Sequence, residues 1–438
     1  MTLDKTKGVQ AYEKEEQSMS KLMDEILNKE NLTKAYHQVM KNKGASGVDR
    51  LEVHELAKYL ETHGEEIIEK VRNRKYKPLP VRRVQIPKPD GSKRNLGIPS
   101  VVDRWLQQAI YQVLCPFYEE IFVDTNYGFR PNRSCEKAVL KALEYMNDGY
   151  DWIVDIDLSK FFDTVNHDML MSYIHRDIND PDTESLIRKF LVSGVLVDGT
   201  FEATKVGTPQ GGNLSPLLAN IFLHELDKEL MERELRFTRY ADDCIILVRS
   251  EWAANRVMGS VTRFLEKKLR LTVNVTKSKV ARPQDIKYLG FSFFNRGGKY
   301  RPKPHIKSVE SLKTKLHYWS KRSLGISMDI RISKLNPIIR GWIQYYRICS
   351  MKGTMEQIDR WLRVRIRMCI WKQWKTPKHR EKCLIKLGMP KWMAHRNANS
   401  RKGPMAMAKG ALQNVLSNHI FKLKGLLSLV DQFQLVHI

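Results

Sequence analysis

The segment RYADDCIILV, residues 239–248, places two aspartates side by side immediately before a run of apolar residues. With the residues before it, RFTRYADDCIILV predicts a strand, a tight turn and a second strand. Two like charges this close repel each other, and burial at the end of a strand raises the cost of their charged forms. The segment therefore indicates either a solvated turn or a site where a positive partner lies against both carboxylates.

A second acidic segment, WIVDID at residues 152–157, has the alternation of a strand. One face takes Trp152, Val154 and Ile156, and the other takes Ile153, Asp155 and Asp157. If one sheet brings this face beside the Asp242–Asp243 turn, the carboxylates form a cluster of hard oxygen ligands that suits Mg²⁺. Two such ions about 3.5–4 Å apart serve in-line phosphoryl transfer in polymerases and nucleases. The structural alternative is an ordinary turn, because Asp is common in turns.

The rest of the sequence predicts an α+β fold with an antiparallel sheet, followed by an all-helical last third. Helices are predicted within residues 20–75, 100–122, 132–146, 215–230 and 252–269. Further strands are predicted on both sides of a turn at 89–91, in a hairpin at 195–206 with Asp198-Gly199 at its turn, and in LTVNV and IKYLGFSFF. Interruptions near residues 305 and 375 predict domain boundaries.

The net charge of +26 is unevenly distributed. Residues 1–300 hold 46 Lys and Arg against 43 Asp and Glu, whereas residues 301–438 hold 29 against 6. This asymmetry favours a polyanion partner, since Lys and Arg release counterions from phosphates. An acidic membrane surface is the rival and a solvated basic face is the plain alternative. No run of about 18 apolar residues and no signal-peptide core is present, so no membrane association and a cytosolic location are predicted.

Several motifs occur in a fixed order along the chain. They are KNKGASGVD, IPKPDGSKRNLGIP, NYGFRPNRS, DIDLSKFFDTVNHD, GTPQGGNLSPLLANI, YADD, TVNVTKSK, IKYLGFSF and RGWIQYYRI. This succession closely resembles the ordered blocks of reverse transcriptases, and within them the group II intron-encoded reverse transcriptase/maturase family. The sequence lacks a His-Asn-His nuclease block, which points to the compact, endonuclease-lacking class C branch.

The resemblance implies a right-hand polymerase fold. Fingers and an antiparallel-sheet palm would occupy residues 1–305, an α-helical thumb (the maturase domain) residues 306–375, and a small DNA-binding region residues 376–438. It implies an RNA-directed DNA polymerase that uses two Mg²⁺ ions, copies intron RNA during retrohoming and assists intron splicing. The implied partners are group II intron RNA, an RNA template with a DNA or RNA primer, a DNA target and dNTPs. The implied location is the bacterial cytoplasm, in association with the nucleoid.

The resemblance also assigns roles to single residues at the catalytic centre. Asp157, Asp242 and Asp243 match the catalytic, metal-binding triad, while Asp155 falls outside the matching position. Phe162 matches the side chain that excludes a 2′-hydroxyl, although a core Phe is the alternative. The implied nucleotide-binding residues are Lys88, Arg94, Gln210 and Gly211, with either Lys277 or Lys279 near the pyrophosphate.

The implied nucleic-acid contacts lie outside the catalytic centre. They are Arg130 and Arg133 in the YGFRPNRS block, Tyr288 and Gly290 in the primer-gripping turn, and Arg360, Arg363 and Arg367 on a thumb helix. In that helix Ile358, Leu362, Ile366 and Ile370 recur every fourth residue, which predicts a core face flanked by a phosphate-binding face.

Two other functions compete with this interpretation. One is a non-enzymatic RNA-binding splicing factor derived from a polymerase, and the other is a reverse transcriptase of different purpose. Retention of all three triad aspartates favours an active enzyme over the first. The thumb and C-terminal motifs disfavour the second.

Overall fold

The computed structural model describes residues 20–87, 91, 93–197, 199–204, 206–208 and 211–437. Both helices and strands occur up to residue 304, and every described element from Ile306 onward is a helix. The predicted α+β class with a helical last third is confirmed. In the described part of the chain, no helix has both the length and the apolar composition needed to cross a membrane.

The mixed part contains ten α-helices and ten strands among the described residues. The helices are α1 (Lys21–Ile26), α2 (Lys29–Asn42), α3 (Leu56–Arg72), α4 (Val101–Ile121), α5 (Cys135–Asn147), α6 (Phe161–Thr164), α7 (His167–Ile178), α8 (Pro181–Leu191), α9 (Ser215–Glu232) and α10 (Glu251–Lys267). The strands are β1 (Val81–Pro87), β2 (Lys93–Ile98), β3 (Trp152–Ile156), β4 (Val195–Val197), β5 (Thr200–Glu202), β6 (Arg236–Tyr240), β7 (Asp243–Val248), β8 (Lys279–Ala281), β9 (Phe291–Arg296) and β10 (Lys299–Pro304).

Strands β6, β7, β3 and β8 form, in that order, an antiparallel sheet that we call the palm sheet. Both of its faces are covered by apolar side chains. Val154 and Ile156 join one hydrophobic cluster, while Ile153, Ile245 and Leu247 join a second cluster on the other face. The alternation predicted for residues 152–157 is therefore confirmed. The aspartates at positions 155 and 157 share the face of Ile153, because side chains two residues apart point the same way.

Of two predicted strands, one does not form and the other begins later than the sequence pattern indicates. The segment LTVNV forms only an isolated bridge between Val273 and Leu158, because the chain then turns, with the Ser278 amide donating to the Asn274 carbonyl (2.8 Å). The regular strand here is β8. In IKYLGFSFF, reciprocal bonds between Tyr288 and Phe291 close a tight turn, so β9 begins only at Phe291.

A second sheet, in the order β2-β1-β4-β5, lies in the predicted fingers. Strands β1 and β2 pair antiparallel, and the predicted turn between them falls mostly outside the described residues. Strands β4 and β5 form the predicted hairpin, with Val197 opposite Thr200; of its turn residues, Asp198 lies outside the described part. The parallel pairing of β1 with β4 joins the two hairpins into one sheet.

The last third of the chain packs helices against one another. These are α11 (Ile306–Trp319), α12 (Met328–Tyr345), α13 (Lys352–Gln373), α14 (Pro377–Lys386), α15 (Lys391–Ala398), α16 (Pro404–Lys409), α17 (Ala411–Val415), α18 (Asn418–Leu423) and α19 (Leu429–Val436). In α13 the predicted core face of Ile358, Leu362, Ile366 and Ile370 is buried. This face supports the amphipathic interpretation of the helix.

One hydrophobic cluster, which we call the shared core, crosses all the predicted boundaries. It contains Ile153 of the palm sheet, Leu312 of α11, Ile366 of α13 and Leu429 of α19. The carboxylate of Asp359 on α13, itself buried, accepts the Leu429 amide at 3.0 Å and so caps the last helix. The helices are therefore joined to the mixed part of the chain by continuous apolar packing, while the boundaries at 305 and 375 stay predictions.

Candidate active site

The turn between β6 and β7 consists of Ala241 and Asp242, since Tyr240 and Asp243 are the last paired residues. Ala241 adopts a left-handed backbone conformation (φ +58°). A residue with a Cβ in a sparsely populated conformation costs about 1–3 kcal/mol and persists only where its surroundings fix it. The predicted tight turn is confirmed, and its two carboxylates stand at the edge of the palm sheet.

Asp157 follows directly after β3, next to this turn. The antiparallel register runs from Trp152 opposite Val248 to Ile156 opposite Cys244, and its next position places Asp157 opposite Asp243. Directly opposite residues in such a pair have Cβ atoms about 4.5–5.5 Å apart. The Asp157 amide donates to Ser278 Oγ (3.0 Å), which anchors the strand end. The sheet thus brings the three predicted triad aspartates together.

Asp155 lies two residues before Asp157, on the same face of β3 and farther from the turn. Its partner across the strand pair β3–β8 is Lys279. Burial raises the pKa of Asp155 to about 7, and the nearby Asp243 carboxylate adds to this rise, while Lys279 opposes it. Asp155 is therefore electrostatically part of the acidic group, although it is set back from the turn.

The carboxylates at the turn make one another harder to ionise. Asp243 is reachable by solvent, but the protein around it removes part of its hydration, and this raises its pKa to about 6. The charges of Asp242 and Asp157 push in the same direction. The pKa of Asp242 is also raised, first by burial and then by Asp157, while Arg94 lowers it. A positive partner at this edge would relieve the repulsion.

The donor set fits a hard divalent cation. Within the described ranges, no three His, Cys, Asp or Glu side chains are already arranged as a complete metal site. Mg²⁺ does not require such a cage, because it usually keeps several waters and takes one or two carboxylates together with substrate phosphates. The carboxylates of Asp157, Asp242 and Asp243 are the oxygen ligands that such an ion would use, and the raised pKa values of Asp242 and Asp243 show the repulsion that it would relieve.

Arg94 of β2 lies close enough to influence both turn aspartates electrostatically. This position agrees with its predicted role beside a triphosphate, where Arg offers bidentate contacts. The other two predicted triphosphate and pocket residues, Lys88 and Gln210, lie outside the described residues. Their roles stay predictions.

Gly211 is required by packing within the protein. It has a φ of +126°, and a Cβ there would meet the Gly97 carbonyl oxygen of β2 at 2.5 Å. The predicted reason for this glycine was close approach to the template or nucleotide. The structure supplies a different reason, namely close contact between the 211–214 loop and the fingers sheet.

The two adjacent phenylalanines at 161 and 162 have different environments. Phe161 is buried in the hydrophobic cluster. Phe162 is only half-buried and lines a cavity of about 300 Å³ together with Asn95, Gly97 and Thr208. The Thr208 amide donates to the Phe162 carbonyl at 2.6 Å and fixes this short helix against the neighbouring loop. The core role belongs to Phe161, which leaves Phe162 facing the cavity, as its predicted role requires.

The two lysines that are candidates for the pyrophosphate contact, Lys277 and Lys279, differ in their contacts. Lys279 faces Asp155 across the sheet and donates its Nζ to the Asp285 carbonyl (2.5 Å). Lys277 lies in the turn that follows Val273, and its amide donates to Asn274 (3.1 Å). Lys279 is exposed, but its Nζ is engaged by the Asp285 carbonyl. Which of the two lysines lies near the pyrophosphate stays a prediction.

The predicted contact of Arg130 with nucleic acid needs correction. Its guanidinium is buried, and all five of its N–H groups are directed at protein acceptors, among them Glu119 and the carbonyls of Val123 and Asn126. No donor is left for a phosphate. Arg133 is more accessible, although it pairs with Asp124 at 2.7 Å. Arg130 therefore builds the loop, and only Arg133 keeps the predicted role.

The segment predicted to grip the primer does form a tight turn, and its primer contact stays a prediction. Tyr288 supports this turn from inside the protein. Its ring is buried and its hydroxyl donates to the Thr238 carbonyl (3.3 Å). Gly290 has a φ of +85°, and a Cβ there would lie 2.9 Å from the Tyr346 hydroxyl. Its carbonyl accepts the Ser308 hydroxyl at 3.2 Å, so helices α11 and α12 hold this turn. Direct contact by Tyr288 with nucleic acid is a second correction.

The three arginines of α13 differ in accessibility. Arg360 is exposed, and Arg363 is half-buried and pairs with Asp359 at 3.3 Å. Arg367 is buried, and its Nε and Nη2 both donate to the Leu416 carbonyl (3.0 and 2.9 Å). The predicted phosphate-binding face is thus correct for Arg360 in its accessibility, whereas Arg367 instead attaches the C-terminal helices to α13.

A buried polar group beneath the turn was not found from the sequence. Arg239 of β6 and Asp227 of α9 form an ion pair that is fully inaccessible to solvent. Asn220 of α9 contacts Arg239 (3.0 Å) and also donates to the Gly128 carbonyl (2.7 Å). The sequence signal is a charged residue on the same strand face as the apolar Phe237, next to the YADD turn.

Comparison with known proteins agrees with this architecture. A family profile described as reverse transcriptase (RNA-dependent DNA polymerase) matches residues 86–293, and one described as group II intron, maturase-specific domain matches residues 309–388. The palm sheet with its acidic turn agrees with the first match, so residues 86–293 form a domain of the reverse transcriptase family.

Two relatives agree with these matches. The group II intron-encoded protein LtrA of Lactococcus lactis subsp. cremoris is 40% identical over 212 residues, which are 48% of this chain and 35% of LtrA. Protein YkfC of Escherichia coli (strain K12) is 32% identical over 323 residues, which are 64% of this chain and 85% of YkfC. The chain spans about a third of the length of LtrA. It belongs to the family of group II intron-encoded reverse transcriptases and maturases.

Proposed function

We propose that this chain is an RNA-directed DNA polymerase that copies intron RNA and assists its splicing. The observation that carries this proposal is the edge of the palm sheet, where Asp157, Asp242 and Asp243 lie together, with Arg94 near enough to act on the last two. Such an edge suits a reaction in which a 3′-hydroxyl attacks a nucleoside triphosphate and pyrophosphate leaves.

Primer extension tests this activity directly. The full chain, an RNA template with an annealed DNA primer, dNTPs and Mg²⁺ should give DNA products of template length, and a chelator should prevent their formation. Products on DNA templates alone, or none at all, would contradict the proposal.

Two Mg²⁺ ions held by Asp157, Asp242 and Asp243 would supply activation of the attacking hydroxyl and charge neutralisation at the leaving pyrophosphate. The protein's own contribution is positional. The strand register fixes Asp157 opposite Asp243, and the left-handed Ala241 directs the turn. Arg94 would bind the triphosphate oxygens, with Lys88 and Lys277 as further cationic contacts.

Phe162 offers a test of sugar selection. Phe162 lines the cavity of about 300 Å³ and only borders the core, so Phe162→Val should open space beside the nucleotide sugar at a smaller cost in stability than a change in the core itself. We expect the ratio of rNTP to dNTP incorporation efficiency to rise about 10-fold or more, since a single steric contact is worth about 1–3 kcal/mol. Single-nucleotide incorporation with matched rNTP and dNTP measures this ratio.

The neighbouring Phe161 supplies the contrast. Phe161→Val removes volume from the core, where Phe161 is 2% exposed, and should lower the thermal midpoint without changing the sugar ratio. An unchanged ratio in Phe162→Val, or a changed one in Phe161→Val, would remove Phe162 from the nucleotide site.

Intron RNA binding is assigned to the basic helices. The excess of 29 Lys and Arg over 6 Asp and Glu in residues 301–438 motivates this assignment. Arg360, Arg363 and Arg367 border a cavity of about 570 Å³ between α13 and the C-terminal helices, and the exposed Arg360 is the best placed of them for phosphate contact. A DNA target would bind beyond it, in residues 376–438, and the protein would act in the bacterial cytoplasm at the nucleoid.

Salt dependence measures this electrostatic contact. Replacing the exposed Arg360, Lys372 and Lys375 by Gln should weaken binding of intron RNA and flatten the plot of log affinity against log salt. Each lost phosphate contact changes that slope by about 0.7 on single strands and 0.9 on duplexes. Three lost contacts should therefore change it by about 2–3.

A variant with Lys58, Arg72 and Lys75 replaced by Gln is the matched control, since these exposed cations lie in the fingers, where the overall charge is nearly balanced. Circular dichroism should show both variants folded. If the thumb variant binds like the wild type, or the fingers variant shows the larger change, the platform for intron RNA lies outside α13.

A further inference from the structure

We propose that Arg239, Asp227 and Asn220 are positioning residues that hold the Ala241–Asp242 turn, and through it the carboxylates of Asp242 and Asp243, in the geometry needed for polymerisation. None of the three lies at the acidic edge itself. The inference rests on the proposed polymerase function, which it deepens by naming what holds the metal-binding turn.

Arg239 connects the turn to the helix beneath it. Its Nη1 donates to the Ala241 carbonyl (3.0 Å), and its Nε donates to Asp227 Oδ1 (2.7 Å), with a second bond from Nη2 to Asp227 Oδ2. Both side chains are 0% exposed. A bidentate Arg–carboxylate pair has a fixed planar geometry. The guanidinium therefore fixes the carbonyl of the one turn residue whose backbone is left-handed.

Asn220 extends this contact to a second loop. Its Oδ1 accepts from Arg239 Nη1 (3.0 Å) and from Asn126 Nδ2 (3.3 Å), and its Nδ2 donates to the Gly128 carbonyl (2.7 Å). The backbone continues the link, since the Tyr127 amide donates to the Arg239 carbonyl (2.8 Å). Helix α9, the 126–128 loop and the acidic turn are thus joined through one buried set of hydrogen bonds.

The burial of this ion pair argues against a role in stability alone. Removing two charges from water costs as much as their attraction returns, and apolar residues of similar volume often replace a buried pair without loss of stability. What apolar residues cannot supply is a donor for the Ala241 carbonyl. Outer-shell partners that orient metal ligands are typically worth 10–100-fold in metal affinity or activity.

The key variant replaces the pair by apolar residues. Asp227→Val combined with Arg239→Met keeps the buried volume close to that of the native pair and leaves no buried charge unpaired. We expect kcat for primer extension to fall by about 10–100-fold, while the dNTP KM and the affinity for primer–template stay within about 3-fold. A loss of structural integrity alone would instead reduce the active fraction and lower the thermal midpoint.

A conservative variant and a matched control sharpen the result. Arg239→Lys retains the charge but not the forked contact, and should show an intermediate kcat. Glu229→Gln breaks the exposed pair of Glu229 with Arg233 on the same helix α9, two residues from Asp227, and should leave kcat at the wild-type value. This control removes the same chemistry without touching the turn.

Amide hydrogen exchange gives a readout that needs no metal and no turnover. Peptides covering residues 236–248 should exchange faster in the apolar double variant than in the wild type, while peptides from α13 should not change. If the folded double variant has wild-type kcat and wild-type exchange in residues 236–248, the positioning role is overturned. Failure of the wild type to extend primers would overturn the proposed function instead, and the exchange result would still decide whether the network orders the turn.

Discussion

Asp242→Asn should abolish DNA synthesis and leave the fold at least as stable as the wild type. The substitution keeps the size of the side chain and removes its charge. Loss of a carboxylate that binds the ions should cost more than about 10²-fold in kcat, because even outer-shell partners of metals are worth 10–100-fold. Primer extension under single-turnover conditions measures this loss.

The thermal stability of the Asp242→Asn variant should not fall, although its activity is lost. The Asp242 carboxylate is one of the charges that raise the pKa of Asp243, so its neutralisation relieves repulsion in the folded protein. We therefore expect an equal or higher thermal midpoint in buffer without Mg²⁺, and unchanged affinity for intron RNA. An Asp148→Asn variant, at an exposed carboxylate before β3, should leave both activity and stability unchanged. If the Asp242→Asn variant extends primers at a rate close to that of the wild type, Asp242 is not a member of the catalytic triad.

Gly128→Ala should be the most damaging substitution outside the carboxylates. A Cβ at Gly128 would lie 2.1 Å from the Ala241 nitrogen and 2.9 Å from the Ala241 Cα. Both atoms are backbone, so no side-chain rotation relieves the clash. The loop or the turn must move, and a misplacement of about 1 Å can reduce the rate by about 10²-fold. Overpacking of this kind also destabilises by about 1–3 kcal/mol.

Gly259→Ala is the matched control. Gly259 lies within α10, and a Cβ there would meet nothing within 4 Å. Ala is favoured over Gly in a helix by about 0.5–1 kcal/mol, so this variant should be slightly more stable and fully active. Measured kcat and thermal midpoints for the two alanine variants test the claim. If Gly128→Ala behaves like Gly259→Ala, the loop does not restrain the turn.

The sequence predicted local features of the fold well. The YADD hairpin, the alternating strand at 152–157 and the core face of α13 all follow from periodicity within about 20 residues. The strand predicted in LTVNV was wrong, because the apolar alternation there continues into a turn that Asn274 closes through backbone bonds. Such competition between a strand pattern and a turn is decided by pairing partners that lie far away in the sequence.

The site was predicted through its carboxylates but not through its supports. The acidic residues are informative, because adjacent charges need an explanation wherever they occur. Arg130, Arg239 and Arg367 all resemble surface cations in the sequence, yet each is buried against carbonyls or carboxylates of distant segments. Composition and spacing do not distinguish a cation that binds phosphate from one that binds the protein's own backbone, since both need the same donors.

The shared core has a consequence for any attempt to shorten the enzyme. Ile153 and Ile245 of the palm lie in the same cluster as residues of α5, α11, α13 and α19, so the last helices and the mixed part of the chain share one interior. A chain cut after β10 would lose part of that interior and expose apolar side chains to water, and surfaces of this kind drive self-association. A shorter protein made from this scaffold would need polar residues at the newly exposed positions, because deletion of the helices alone leaves apolar side chains in contact with water.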